Sequence, residues 1–71
     1  MENNMTGTFE EWLEKAKTGD AVAQRTVGDM YLYGRGVEAD YDQAIEWYYK
    51  AADQGENVFL NIELAHIYKV M

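Results

Sequence analysis

Two offsets superimpose this sequence on itself. A shift of 37 positions lays Asp20 on Asn57, Val27 on Leu64, Gly28 on Ala65, Met30 on Ile67 and Tyr31 on Tyr68. A shift of 35 lays Glu11 on Glu46, Trp12 on Trp47, Lys15 on Lys50 and Ala16 on Ala51. Cap residues fall on cap residues and apolar residues on apolar residues. A period in this range is the mark of helix-pair solenoids, in which one unit cannot bury its own apolar face and stacking on its neighbour supplies the core.

The repeating segments read as helices. Thr8-Phe9-Glu10-Glu11 is a capping box opening a first helix at about 8–18, with Phe9, Trp12, Leu13 and Ala16 at helical spacing and Gly19 ending it. Asp20 caps a second helix, 20–33, that carries Ala23, Val27, Met30 and Tyr31 on one face; Gly34 stands where a left-handed cap is wanted. Asp40 with Gln43 opens a third, 40–54, striped by Tyr41, Ala44, Ile45, Tyr48, Ala51 and Ala52 and closed by Gly55. Asn57 is the expected cap of a fourth, 57–70. Short connections make neighbours antiparallel. The expected fold is all-α: a short right-handed α/α solenoid fragment of four antiparallel helices, about two repeat-equivalents, in one domain over 8–71 behind a disordered N-terminus at 1–7. The first helix is the second half of a preceding unit and the fourth is the first half of a following one.

Gly28 lies inside the second helix, where glycine costs about 1 kcal/mol relative to alanine. Its repeat partner is also small, Ala65. The expectation is a tight helix crossing with Gly28 against Ala51 and Ala52, or against the first helix.

Composition removes several function classes. A chain of 71 residues is near the size at which one core supplies only about 3–5 kcal/mol. With 48% hydrophobic and 14% aromatic residues it is too apolar for a disordered chain. It has no cysteine, so disulfide frameworks and thiolate metal sites are excluded, and nothing points to an oxidising compartment. Thirteen acids against six bases give −7, which disfavours nucleic acid and anionic membrane as direct ligands. MENNMTGT has neither the basic flank nor the apolar centre of a secretory signal, and no stretch reaches the roughly 20 apolar residues of a membrane span. The expected location is the cytoplasm.

The run Ala21-x-Ala23, Val27-Gly28-Asp29-Met30-Tyr31, Gly34-x-Gly36-Val37, Asp40-Tyr41, Ala44, Trp47-Tyr48, Lys50-Ala51-Ala52 and Gly55 resembles the Sel-one-like repeat, a relative of the tetratricopeptide repeat. The resemblance covers residues 20–55 fully and the flanking helices as half repeats, whereas members of the family usually stack several units. It implies a protein-interaction scaffold of the adaptor type. Some cysteine-rich members are linked to β-lactam hydrolysis, and the absence of cysteine sets this chain apart from them.

Signals of catalysis are weak. Gly34-Arg35-Gly36 follows a helix and lacks the lysine of a phosphate loop, so it reads as a cap and turn with Val37 folded back onto the helices. His66 is the sole histidine and has no cysteine or second histidine to complete a transition-metal site. Glu10 with Glu14, and Asp42 with Glu46, read as a solvated face, and no serine is present as a nucleophile. The chain is expected to be a non-enzyme with no cofactor and no metal.

The leading functional reading is an adaptor module that grips a peptide or protein in a groove lined by the second and fourth helices. Its candidates are the non-core lines Val22, Arg25, Asp29 and Tyr33, and Phe59, Ile62, His66 and Val70. The other reading is a small acidic stoichiometric inhibitor or immunity-type protein that uses Glu38, Asp40, Asp42 and Glu46 to block a basic, nucleic-acid-binding surface. In the fourth helix, Leu60, Leu64, Ile67, Tyr68 and Met71 are expected to dock on the third. A second apolar line with Phe59 and Ile62 is expected to anchor a homodimer or the partner.

Overall fold

The computed structural model describes residues 7–71. The disordered N-terminus expected at 1–7 therefore lies, apart from Gly7, outside the described residues. Four helices follow in chain order: α1 (Phe9–Lys17), α2 (Ala21–Tyr33), α3 (Tyr41–Asp53) and α4 (Phe59–Val70). Each packs on the next, α1 on α2, α2 on α3 and α3 on α4. The Cα envelope measures 42 × 26 × 14 Å, its shortest dimension about three times the Cα cylinder of a single helix, roughly 4.6 Å across, and Asp29 of α2 also reaches Asn61 of α4. This is the architecture of a helical-repeat fragment.

The helix starts follow from local chemistry in three cases of four. Thr8 Oγ1 accepts the Glu11 amide at 3.2 Å, Asp20 Oδ1 that of Ala23 at 2.8 Å and Asp40 Oδ1 that of Gln43 at 3.1 Å. Each satisfies one of the orphan donors of a first turn. The fourth start differs from expectation. α4 is capped by Val58, with no side-chain hydrogen bond, and not by Asn57. Val58 is 1% exposed, so burial of an apolar side chain at the helix entrance sets this boundary in place of a polar cap. α2 ends at Gly34, whose φ of 68° is the left-handed conformation, and the Arg35 amide closes back on the Met30 carbonyl at 2.9 Å. The loop returns through a 3.0 Å bond from the Asp40 amide to the Tyr31 carbonyl, and Val37 packs on the α1–α2 cluster as expected.

Two apolar clusters run along the row. Phe9, Ala16, Ala23, Val27 and Met30 form the first, with Trp12, Leu13 and Trp47 packed against it. Leu32, Ala44, Ile45, Tyr48, Val58 and Ala65 form the second. Tyr31 touches both and meets Phe9 edge-on, with ring centroids 5.2 Å apart. Most of these residues sit on the stripes read from the sequence. Leu32 and Gln24 do not, because α2 is covered on two sides and one periodic stripe describes only one of them. The Gln24 amide donates to the Ala16 carbonyl at 3.2 Å and its oxygen accepts from Gln54 at 2.9 Å; Gln54 also donates to the Gly19 carbonyl at 2.7 Å. These bonds satisfy a buried polar side chain and tie the ends of α1 and α3 together.

Gly28 is buried at the α2–α3 crossing, but its neighbour is not the one expected. A Cβ placed there would lie 2.6 Å from both Cδ1 and Cε1 of Tyr48. The close approach is between the α2 backbone and an aromatic ring, where two facing small residues were anticipated. Tyr48 is fully buried, so any shift of the ring is felt by the side chains packed around it. Gly28→Ala should therefore lower stability although it gains about 1 kcal/mol of helix propensity, and Gly28→Leu should cost about 1–3 kcal/mol or more by overpacking. Urea denaturation checks both, and an alanine variant as stable as the parent would show that the ring can move.

Candidate functional site

Of the α2 line, the two ends are open and the middle is engaged. Val22 and Tyr33 are exposed, with Tyr33 at 51%. Arg25 Nε stands 3.2 Å from Glu56 Oε1 in the connection to α4. Asp29 accepts two hydrogen bonds, from the Tyr48 hydroxyl and, at 2.9 Å, from the Asn61 amide of α4. Arg25 and Asp29 thus act as struts from α2 to the segment beyond α3. Asp29 is thereby engaged within the fold. Asn61 and Glu56, the two residues that engage them, were not singled out from the sequence. A polar residue on an apolar helix, at the repeat position of the buried Gln24, was the available signal.

Of the α4 line, Phe59, His66 and Val70 are exposed and Ile62 is not on the open side. Ile62 packs against the Tyr48–Val58–Ala65 cluster. Its companion expectation also fails: Leu60, Ile67 and Met71, assigned to the face docked on α3, are 73%, 50% and 91% exposed. The docked face carries Val58, Ile62, Ala65 and Tyr68, with Asn61 bonded to Asp29 and Leu64 half-buried at its margin. The reason lies in how each helix is covered. Ala23, Val27 and Met30 of α2 are covered jointly by α1 and by Trp47 of α3, whereas α4 packs mainly on α3 and is linked to α2 through the Asn61–Asp29 hydrogen bond. Packed mainly on α3, α4 turns inward the face centred on Ala65, the counterpart of Gly28, which lets the backbones approach. Contacts at its far end hold that rotation, Tyr41 against Tyr68 at 5.8 Å and Lys69 Nζ to Asp42 Oδ1 at 2.6 Å.

The acidic group is less free than its sequence suggests. Asp40 caps α3 and Asp42 is paired with Lys69, a base brought in from α4, while Glu38 and Glu46 remain exposed. An open cleft of about 400 Å³ lies elsewhere, between the start of α1 and the loop after α2, lined by Gly7, Thr8, Phe9, Glu10, Met30, Arg35 and Gly36. None of the candidate residues lines it. Among the described residues, no helix is long and apolar enough to cross a membrane.

Four helices packed each on the next, a glycine–tyrosine crossing and one exposed helix face define a helical-repeat protein of the solenoid class. The Sel1 repeat family matches residues 21–56, and the chain belongs to that family. It is 46% identical over 39 residues to a sel1-like repeat-containing protein of Acanthamoeba polyphaga mimivirus, a match that covers 55% of this chain and 7% of that protein. No solved structure matches the chain. Sel1 repeats in general mediate protein–protein interaction.

The Tyr48–Asp29 bond has a pH consequence. Burial, followed by the hydrogen bond to Asp29, pushes the Tyr48 phenol above its ordinary range. In the unfolded chain the same phenol ionises near pH 10. Below that pH both states keep the proton and the stabilisation is whole; above it the unfolded state releases its proton first, and stability falls as pH rises. The urea midpoint should therefore decline above about pH 10. Tyr48→Phe should lose about 1–3 kcal/mol at neutral pH and decline less steeply in alkali, and parallel slopes for the two proteins would contradict this.

Proposed function

We propose that this chain is a non-catalytic adaptor module of the cytoplasm that binds a protein or peptide along the row formed by α2 and α4, without direct contact to nucleic acid or membrane. One observation carries the reading. Phe59, Leu60, Ile67, Val70 and Met71 are all at least half exposed on a single helix that otherwise packs normally, and an apolar patch of this extent on a small domain marks an interface. Tyr33 and Val22 of α2 are also exposed, and a half-exposed tyrosine offers contact area at low entropic cost. Family membership supports a protein as the ligand. The lack of serine and cysteine nucleophiles, with a lone exposed histidine, supports the absence of catalysis. The partner is a second protein, or a second copy of this chain held through α4. The acidic-inhibitor reading has less support, because two of its four carboxylates are engaged within the chain.

Photocrosslinking in living cells tests this proposal. Benzoylphenylalanine placed separately at Phe59, Tyr33 and Glu38 should give protein adducts from the first two positions and none from the third. Adducts from position 38 alone would favour an acidic surface aimed at a basic partner. Absence of adducts at both 59 and 33 would defeat the adaptor reading.

A further inference from the structure

The uncovered residues of α4 have a pattern of their own. They fall in adjacent pairs, Phe59-Leu60, Glu63 with the half-buried Leu64, His66-Ile67 and Val70-Met71, which recur every four, three and four residues. That average of about 3.7 is close to the ordinary helical repeat, so the pairs stay on one side of α4 as a continuous seam on which a second helix can lie. It differs from the inward face of Val58, Ala65 and Tyr68, which is already filled by α3. The occupant suited to this seam is therefore a helix.

We infer that the occupant is α4 of a second copy of this chain, packed antiparallel across a twofold axis level with Ala65. This rests on the reading of α4 as a contact surface and specifies what meets it. Antiparallel pairing about that level places Phe59 opposite the partner's Val70 and Glu63 opposite the partner's His66 along one flank. Along the other it places Leu60 opposite the partner's Met71 and Leu64 opposite the partner's Ile67. Each pairing occurs twice by symmetry, as a contact between like surfaces requires. Apolar residues meet apolar residues, and the one acid on the face meets a histidine.

Charge restricts a second copy to the same place. Twelve of the thirteen acids and five of the six bases precede residue 57, so the whole net charge of −7 is carried by residues 1–56. Residues 57–71 hold Glu63 and Lys69 and are neutral. Two copies meeting through α1–α3 would bring like fields together, whereas two meeting through α4 place those fields outermost. Where α3 has Ile45, Tyr49 and Ala52, α1 has Glu10, Glu14 and Lys17, all exposed, so this side of α1 offers a second copy no apolar seam.

Sedimentation equilibrium of the 71-residue chain reads this directly. The parent should have twice its 8.2 kDa mass at about 100 μM, and Leu60→Glu/Ile67→Glu should be monomeric with an unchanged helical spectrum, since both side chains already stand in water. Two further variants test the pairing itself. His66→Glu makes the polar positions of the seam both acidic, and Glu63→Lys/His66→Lys makes them both basic. Each alone should lose at least about tenfold in self-association, and an equimolar mixture should recover a heterodimer. A parent that stays at 8.2 kDa overturns the inference and leaves the face to another protein or to a further helix of a longer chain. A mixture that fails to pair, or a Leu60→Glu/Ile67→Glu variant that remains dimeric, overturns it as well. A monomeric parent whose residue 59 still crosslinks to a different protein defeats the self-pairing while leaving the adaptor reading intact.

Discussion

The contact between the α2 backbone at Gly28 and the ring of Tyr48 governs the arrangement of the other helices. A side chain at position 28 would collide with the ring, so the glycine permits an approach that no other residue allows. That approach carries the Tyr48 hydroxyl across the interface to Asp29. Asp29, held there, accepts the Asn61 amide and so fixes where α4 begins its course against α3. One steric permission and one carboxylate thus link three helices that are distant in sequence. A buried hydroxyl of this kind is stabilising only while its acceptor remains in place, which makes the crossing cooperative.

The same economy explains why α2 and α4, built on one pattern, behave differently. Each carries an apolar line and a small-residue line. In α2 both are covered, one by α1 and the other by α3. α4 packs mainly on α3, and it buries the line that permits the closer backbone contact and the Asn61 hydrogen bond to α2. The line left outside is the larger and more apolar of the two. In a chain of this size the area buried on folding is small.

The polar residues of the candidate groove divide by the same logic. Arg25 and Asp29 lie at the level where α2 faces the start of α4, and both are drawn into bonds that hold the row together. Val22, Tyr33, Phe59 and Val70 lie at the helix ends, beyond the reach of a structural partner, and stay open. The open positions at the helix ends are consequently apolar, while Arg25 and Asp29 are paired within the chain. The acidic group is likewise tempered where Lys69 reaches Asp42.

Local chemistry was legible in the sequence. Thr8, Asp20 and Asp40 cap helices because a side-chain oxygen three residues ahead of an orphan amide needs nothing from the rest of the fold. Gly34 ends α2 for a similarly local reason, and the repeat offsets identified which helices are equivalent. Periodicity also marked the faces of α1 and α3, on which the buried residues Phe9, Ala16, Ala44, Tyr48 and Ala51 do lie. What the sequence alone could not decide was which face of α4 turns inward, since Leu60, Ile67 and Met71 form as good a stripe as Val58, Ile62 and Ala65. Nor could it decide that Gly28 meets a ring, or that Asp29 and Arg25 are struts. These depend on how many neighbours a helix has and on which residues those neighbours present. Periodicity along one helix records which side chains share a face, while the choice among faces is an interaction between helices and exists only once they have packed.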